Sequence, residues 1–147
     1  MNWEIKVWGK TRITLERPTF QEHELLTNAG GYCSVHYHRR RANSFIVLRG
    51  EIAVVLFRAF TWERHHLTSK NATFANPFIV PSQVTHRFEV LSSGQVIEQY
   101  WPDRGHQSIE TDDIVRLSEG GTVFDASVTE HRESFFEANV RGLLRAS

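Results

Sequence analysis

Short apolar or alternating runs recur along the first hundred residues: WEIKVW, TRITL, FQEHELL, CSVHYH, SFIVL, EIAVVLF, FIVP, THRFEV and QVIEQYW. They are rich in β-branched and aromatic side chains. Turn-prone steps separate them: WGK, ERP, NAGG, Arg49–Gly50, NPF, PSQ, SSG and PDRG. Strands this short and this regularly spaced predict an all-β antiparallel sandwich or barrel, not alternating βαβ units. SFIVL and IAVVLF are apolar at every position, so their strands are expected to be covered on both faces, by a second sheet, a subunit contact, or both. The pattern changes after residue 124. In SVTEHRESFFEANVRGLL, residues Phe135, Phe136, Val140, Leu143 and Leu144 fall roughly on one helical stripe. The expected organisation is a barrel over 1–124 and a short helical tail over 125–147, with a frayed tail as the alternative.

Composition narrows the classes. The chain has 147 residues, the length of one domain. Lys plus Arg and Asp plus Glu both number 17, so the basic surplus expected of a nucleic-acid binder is missing. The apolar runs are far too short to span a bilayer. MNWEIKVWGK lacks the apolar segment of a signal peptide and alternates like a strand. A single cysteine excludes an internal disulfide and fits a reducing compartment. The expectation is a soluble, cytoplasmic protein with neither a nucleic-acid nor a membrane partner, and a homodimer if the doubly apolar strands need cover.

Candidate chemistry lies in GGYCSVHYHRRRANSFIVLRG, residues 30 to 50. On a strand, His36 and His38 project from one face and Tyr37 from the other, which suits chelation of one ion. Alone, an H-x-H pair is equally a solvated strand face. The spacing around it says more: Gly30 lies six before His36, Asn43 five after His38, and Gly50 seven after that. Downstream, PSQVTH sets His86 five residues after Pro81.

These segments resemble the cupin superfamily, whose first motif is G-x5-H-x-H-x3,4-E-x6-G and whose second is G-x5-P-x-G-x2-H-x3-N. The first is matched at every fixed position but the glutamate; the second keeps its proline and histidine. The likeness spans roughly residues 20 to 102. It implies an antiparallel double-stranded β-helix, a jelly-roll barrel, holding one divalent transition metal (Zn, Ni, Fe or Mn). The implied ligands are His36, His38 and His86, with Asn43 at the glutamate position. Strand parity agrees for His86, which shares a face with Phe88 and Val90 and leaves Thr85, Arg87 and Glu89 pointing outward. Three imidazoles in an apolar barrel would otherwise be unsatisfied polar groups, a cost that a metal removes.

The departures shape the expected chemistry. Asn43 brings no charge, so the ion would keep its full positive charge and lean on an anion, water or Glu98 to complete its shell. Gln83 replaces the second motif's glycine and Val90 its asparagine; Gln83 is a candidate to reach into the site. Arg39, Arg40 and Arg41 follow the histidine pair near the implied barrel mouth, where guanidinium groups suit a carboxylate or phosphate; a solvated turn is the equal alternative. Tyr100 and Glu98, on the last apolar strand, are further candidates for substrate contact.

His65 and His66 are adjacent, so they face opposite ways and read as surface residues, while His23, His106 and His131 read as ordinary. Cys33 is expected on the face opposite His36, as a buried small residue. TDDIVRLSEGG, residues 111 to 121, is similar to the segment after the barrel in the cupin portion of bacterial mannose-6-phosphate isomerases, and Asp112 and Asp113 equally suit the cap of a helical turn. The resulting expectation is a small metal-binding cupin, an enzyme such as a sugar-phosphate isomerase acting on a small anionic molecule. The alternatives are a non-catalytic ligand-binding cupin and a metal-dependent oxygenase. No residue stands out as general base.

Overall fold

The computed structural model describes residues 2–110 and 112–122, and among them every regular element is a strand. The nine strands are β1 (Glu4–Lys6), β2 (Gly9–Arg17), β3 (Phe20–Thr27), β4 (His36–Tyr37), β5 (Arg41–Phe57), β6 (Trp62–Leu67), β7 (Phe78–Val80), β8 (Thr85–Pro102) and β9 (Val115–Arg116). All pair antiparallel in one curled sheet, as the apolar pattern predicts. The expected C-terminal helix and the 124/125 boundary lie outside the described residues. No helix among the described residues is long and apolar enough to cross a membrane.

The spine is the pair β5 and β8, in register from Arg41↔Pro102 to Phe57↔Thr85. Here the structure corrects the sequence reading. SFIVL and EIAVVLF form one strand, and so do THRFEV and QVIEQYW; Arg49–Gly50 and SSG are not turns between strands. The register shifts between Val47 and Ile52, which marks bulges that bend the long strands without ending them. Gly50 has φ 76°, and a Cβ there would lie 2.8 Å from Gly94 Cα, so the two strands cross this bend on a pair of glycines. The RHHL stretch, read only as surface, lies in β6, paired to the second half of β5.

Alternation along β5 divides two cores. Phe45, Val47, Ile52, Val54 and Leu56 pack inside with Leu25, Phe88, Val90 and Val96. Val55 and Phe57 face the other way and pack with Val35 and Trp62. Both faces of the strand are therefore covered by this chain itself, which removes the premise on which a dimer was expected. The outward residues Arg87 and Glu89 are also fully buried. Their ion pair is 2.7 Å long, Arg64 adds a second contact to Glu89 at 3.3 Å, and the Arg87 guanidinium lies 4.6 Å over the Tyr32 ring. Parity gave their face correctly, but that face is not solvent.

Candidate metal centre

His36 on β4 is the register partner of His86 on β8, and His38 follows two residues later, so three imidazoles meet inside the curl. Their ring centroids are 4.5 Å (His36–His86), 5.1 Å (His36–His38) and 5.6 Å (His38–His86) apart. One ligand atom from each lies within 4.8 Å of the others. Each Nδ1 sits against a backbone carbonyl: His36 on Ser34 at 2.7 Å, His38 on Asp113 at 2.8 Å, His86 on Val84 at 2.8 Å. A carbonyl oxygen only accepts, so these short contacts put the proton on each Nδ1 and leave each Nε2 with a lone pair; Arg41 Nε approaches His38 Nδ1 only at the longer distance of 3.3 Å. The Nε2 atoms of His38 and His86 are buried without a hydrogen-bond partner among the described residues.

Burial, reinforced by the neighbouring rings, pushes the His36 pKa well below its ordinary value; burial also lowers His38 to about 3 and His86 to about 4. Three neutral rings, fixed in one tautomer and with one ligand atom of each within 4.8 Å of the others, fit a divalent metal.

The loop after His38 is held by a residue that sequence reasoning assigned elsewhere. The Asp113 carboxylate accepts the backbone N–H groups of Arg39 (2.8 Å), Arg40 (2.8 Å) and Arg41 (3.2 Å), while its carbonyl takes the His38 proton. It caps no helical turn. Burial opposes its charge, but the N–H groups of Arg40 and Arg39 outweigh that and hold its carboxyl below the ordinary value. Nothing local to its own segment signals the role, because the partners lie more than seventy residues away.

The arginine run divides. Arg39 and Arg40 are exposed, Arg40 pairing with Glu110 at 2.6 Å. Arg41 is buried, stacks 4.1 Å over the Tyr100 ring, and makes no ion pair among the described residues. It lines a cavity of about 600 Å³ together with His36, Glu98, Tyr100 and His23. Glu98 accepts from the Tyr100 hydroxyl at 2.6 Å and from Asn43 Nδ2 at 2.9 Å. Burial raises the Glu98 pKa against those two donors, and burial with the nearby Glu98 pushes Tyr100 well above its usual range. The structure thus brings Arg41, Glu98 and Tyr100 to the cavity. It leaves Arg39 and Gln83 exposed, Gln83 touching the site only through its backbone N–H on the His38 carbonyl at 2.6 Å.

Two further readings change. Cys33 lines the same cavity as His36, because residues 33–35 are not regular strand and the parity rule does not carry across them. It is a buried thiol, as expected, and burial pushes it up to about 12. His23 is not ordinary: its ring lies 5.1 Å from Tyr100 and its Nε2 is buried without a partner. FQEHELL shows a histidine at an inward-facing strand position, the one signal that marked it.

A curled antiparallel sheet with three inward histidines, two from one segment and the third from a strand fifty residues on, is the cupin fold. No family model and no curated protein matches the chain. Solved structures do. KdgF from Halomonas sp. superposes with a TM-score of 0.57 at 20% identity, over 71% of this chain and 89% of that one. Oxalate decarboxylase from Bacillus subtilis gives 0.63 at 13% identity, over 79% and 30%. The capsular polysaccharide assembling protein CapF from Staphylococcus aureus gives 0.59 at 15%, over 80% and 34%. The chain spans about a third of the last two. At these identities the likeness is one of fold.

Proposed function

We propose that this chain is a metal-binding cupin enzyme acting on a small anionic substrate by moving a proton between adjacent carbons, the isomerase reading that the sequence favours. The observation that carries it is the set of three histidines whose Nδ1 protons are all committed to backbone carbonyls. In this reading His36, His38 and His86 hold the ion and Asn43 Oδ1 completes the protein's share of the shell. Nitrogen ligands with one amide oxygen admit Zn, Ni, Fe or Mn alike; the decarboxylase it resembles in fold has Mn(II) centres. A bound divalent ion supplies Lewis acidity toward a carbonyl or hydroxyl oxygen.

The chain's own residues do the rest. Arg41, buried and without an ion-pair partner among the described residues, receives the substrate's anionic group. Glu98 is the base: burial raises its pKa toward the working range, and it lines the cavity beside Arg41. It takes the proton from a hydroxyl-bearing carbon beside a carbonyl and returns it to the carbonyl carbon, while the hydroxyl proton passes to the former carbonyl oxygen, so the product is an isomer with no atom or electron gained or lost. The Tyr100 hydroxyl and Asn43 amide steady the carboxylate between the two transfers. Cytoplasmic residence, which the single cysteine favours, completes the proposal.

Metal analysis of purified protein tests the centre. About one transition-metal ion per chain is expected, and its loss in His86→Ala. Incubation of metal-loaded protein with sugar phosphates and small hydroxy acids in deuterated water should give solvent deuterium in the substrate, abolished by Glu98→Gln. Metal-free protein after full reconstitution would overturn the centre. A loaded protein that binds these anions without exchanging deuterium would replace the enzyme with a ligand-binding cupin.

A further inference from the structure

Thr11 and His23 belong to neither motif. In the β2–β3 pairing Thr11 opposes Leu25 and Ile13 opposes His23, so Thr11 and His23 share the inner face with the core residue Leu25. Across the next ladder His23 stands directly opposite Glu98. Thr11 Oγ1 and His23 Nε2 are buried, and neither has a hydrogen-bond partner among the described residues. Both residues line the cavity that holds Arg41 and Glu98, and both also border a second recess of about 380 Å³. Two unsatisfied polar atoms on residues that line one cavity cost stability unless a partner reaches them.

We propose that Thr11 and His23 form a hydroxyl-binding subsite which, together with Arg41, selects a short polyhydroxy carboxylate. The inference rests on the reading of Arg41 as the anion-binding group. The chemistry of the wall favours neutral hydroxyls there. Burial, then the nearby Arg41, lowers the His23 pKa to about 4, so its ring is neutral and exchanges hydrogen bonds with a hydroxyl instead of pairing with an anion. Thr11 donates and accepts equally. The anionic end is better matched by a carboxylate than by a phosphate. Arg41 is the one buried cation lining the cavity among the described residues, its planar fork suits two oxygens, and the Glu98 carboxylate nearby disfavours a dianion.

Titration calorimetry of the purified protein with three probes tests this: gluconate, hexanoate and glucose 6-phosphate. Gluconate and hexanoate share chain length and carboxylate and differ in hydroxyls. Gluconate should bind at least about tenfold tighter than hexanoate, and Thr11→Val and His23→Phe should each weaken gluconate roughly three- to tenfold while leaving hexanoate unchanged. Thr11→Ser, which keeps the hydroxyl, should stay within about threefold of the parent and separates lost contact from lost packing. Equal binding of gluconate and hexanoate, no measurable gluconate binding, or an unaffected Thr11→Val overturns the subsite. Glucose 6-phosphate binding tighter than gluconate overturns the carboxylate assignment. Arg41→Met leaving both carboxylates unweakened would instead remove the anion reading beneath it.

Discussion

Asn43 donates its amide to Glu98 Oε2 at 2.9 Å, while its own side-chain carbonyl oxygen is buried without a donor among the described residues. The contact fixes which way the amide faces: Nδ2 must meet the carboxylate, so Oδ1 is the end left for a cation or a ligand. It also explains the residue. With Glu98 already buried beside this position, a glutamate at 43 would set two carboxylates against each other; asparagine keeps an oxygen for the site and gives the existing carboxylate a donor.

Asn43→Asp reverses that arrangement. The variant loses a donor to a buried carboxylate and adds a like charge, so the metal-free protein should be destabilised by about 2–4 kcal/mol at pH 7.5. Two carboxylates in contact share a proton, which raises their folded-state pKa above the unfolded value. The folded state then binds more protons, stability falls as pH rises, and the deficit should shrink between pH 7.5 and 5. Urea denaturation at both pH values measures it; a variant as stable as its parent at pH 7.5 contradicts the contact.

The histidines have the opposite slope. His36, His38 and His86 titrate well below 6.5, His38 near 3 and His86 near 4, and His23 near 4 joins them. Between 6.5 and these values the unfolded chain binds the protons and the folded one does not, so stability is full above pH 6.5 and drains as pH falls. Each ring contributes at most about 1.4 kcal/mol per pH unit in that window. Glu98, raised by burial, opposes them with a single group. Metal-free protein should therefore lose several kcal/mol from pH 7 to 5 in urea melts. A flat profile would mean that the rings titrate in the folded protein as they do in the unfolded chain, as solvated imidazoles would.

The triad was legible through its likeness to the cupin motifs, which names His36, His38 and His86 together. Strand parity agreed, because i and i+2 on a strand share a face whatever the tertiary context. Properties set by distant chain were not legible. Arg87 and Glu89 were placed on the correct face, yet whether that face meets water depends on Tyr32 and Arg64. Gly50 and Gly94 carry the composition of turns, and only their mutual approach makes them bends within continuous strands. Asp113 reads as a helix cap because its side chain suits any cluster of free N–H groups; the cluster it meets belongs to Arg39, Arg40 and Arg41.

Asp113→Ala removes the acceptor of three backbone N–H groups but leaves the carbonyl that takes the His38 proton. The expected cost is about 2–4 kcal/mol in denaturant melts. Metal affinity should fall roughly ten- to a hundredfold in competition with a chelator, because the turn that carries His38 loses its anchor. Asp113→Asn retains one acceptor oxygen and should recover part of both losses. Affinity unchanged in the alanine variant would show that the histidine is positioned without this turn.

Gln83 stands where the family's second motif has glycine, and its φ is 66°. That is the left-handed region, where a side chain's Cβ crowds its own backbone at a cost of about 1–2 kcal/mol. The conformation is held from outside: the Gln83 N–H donates to the His38 carbonyl at 2.6 Å, tying this turn to a triad residue. The exposed side chain makes no hydrogen bond among the described residues, so trimming it removes strain without removing a contact. Glycine adds some freedom to the unfolded chain, offsetting about 0.5–1 kcal/mol of the relief. Gln83→Gly should therefore raise stability by up to about 1 kcal/mol with metal content unchanged, read from urea midpoints and metal analysis. A loss of stability or of metal would show that the glutamine side chain itself supports the site.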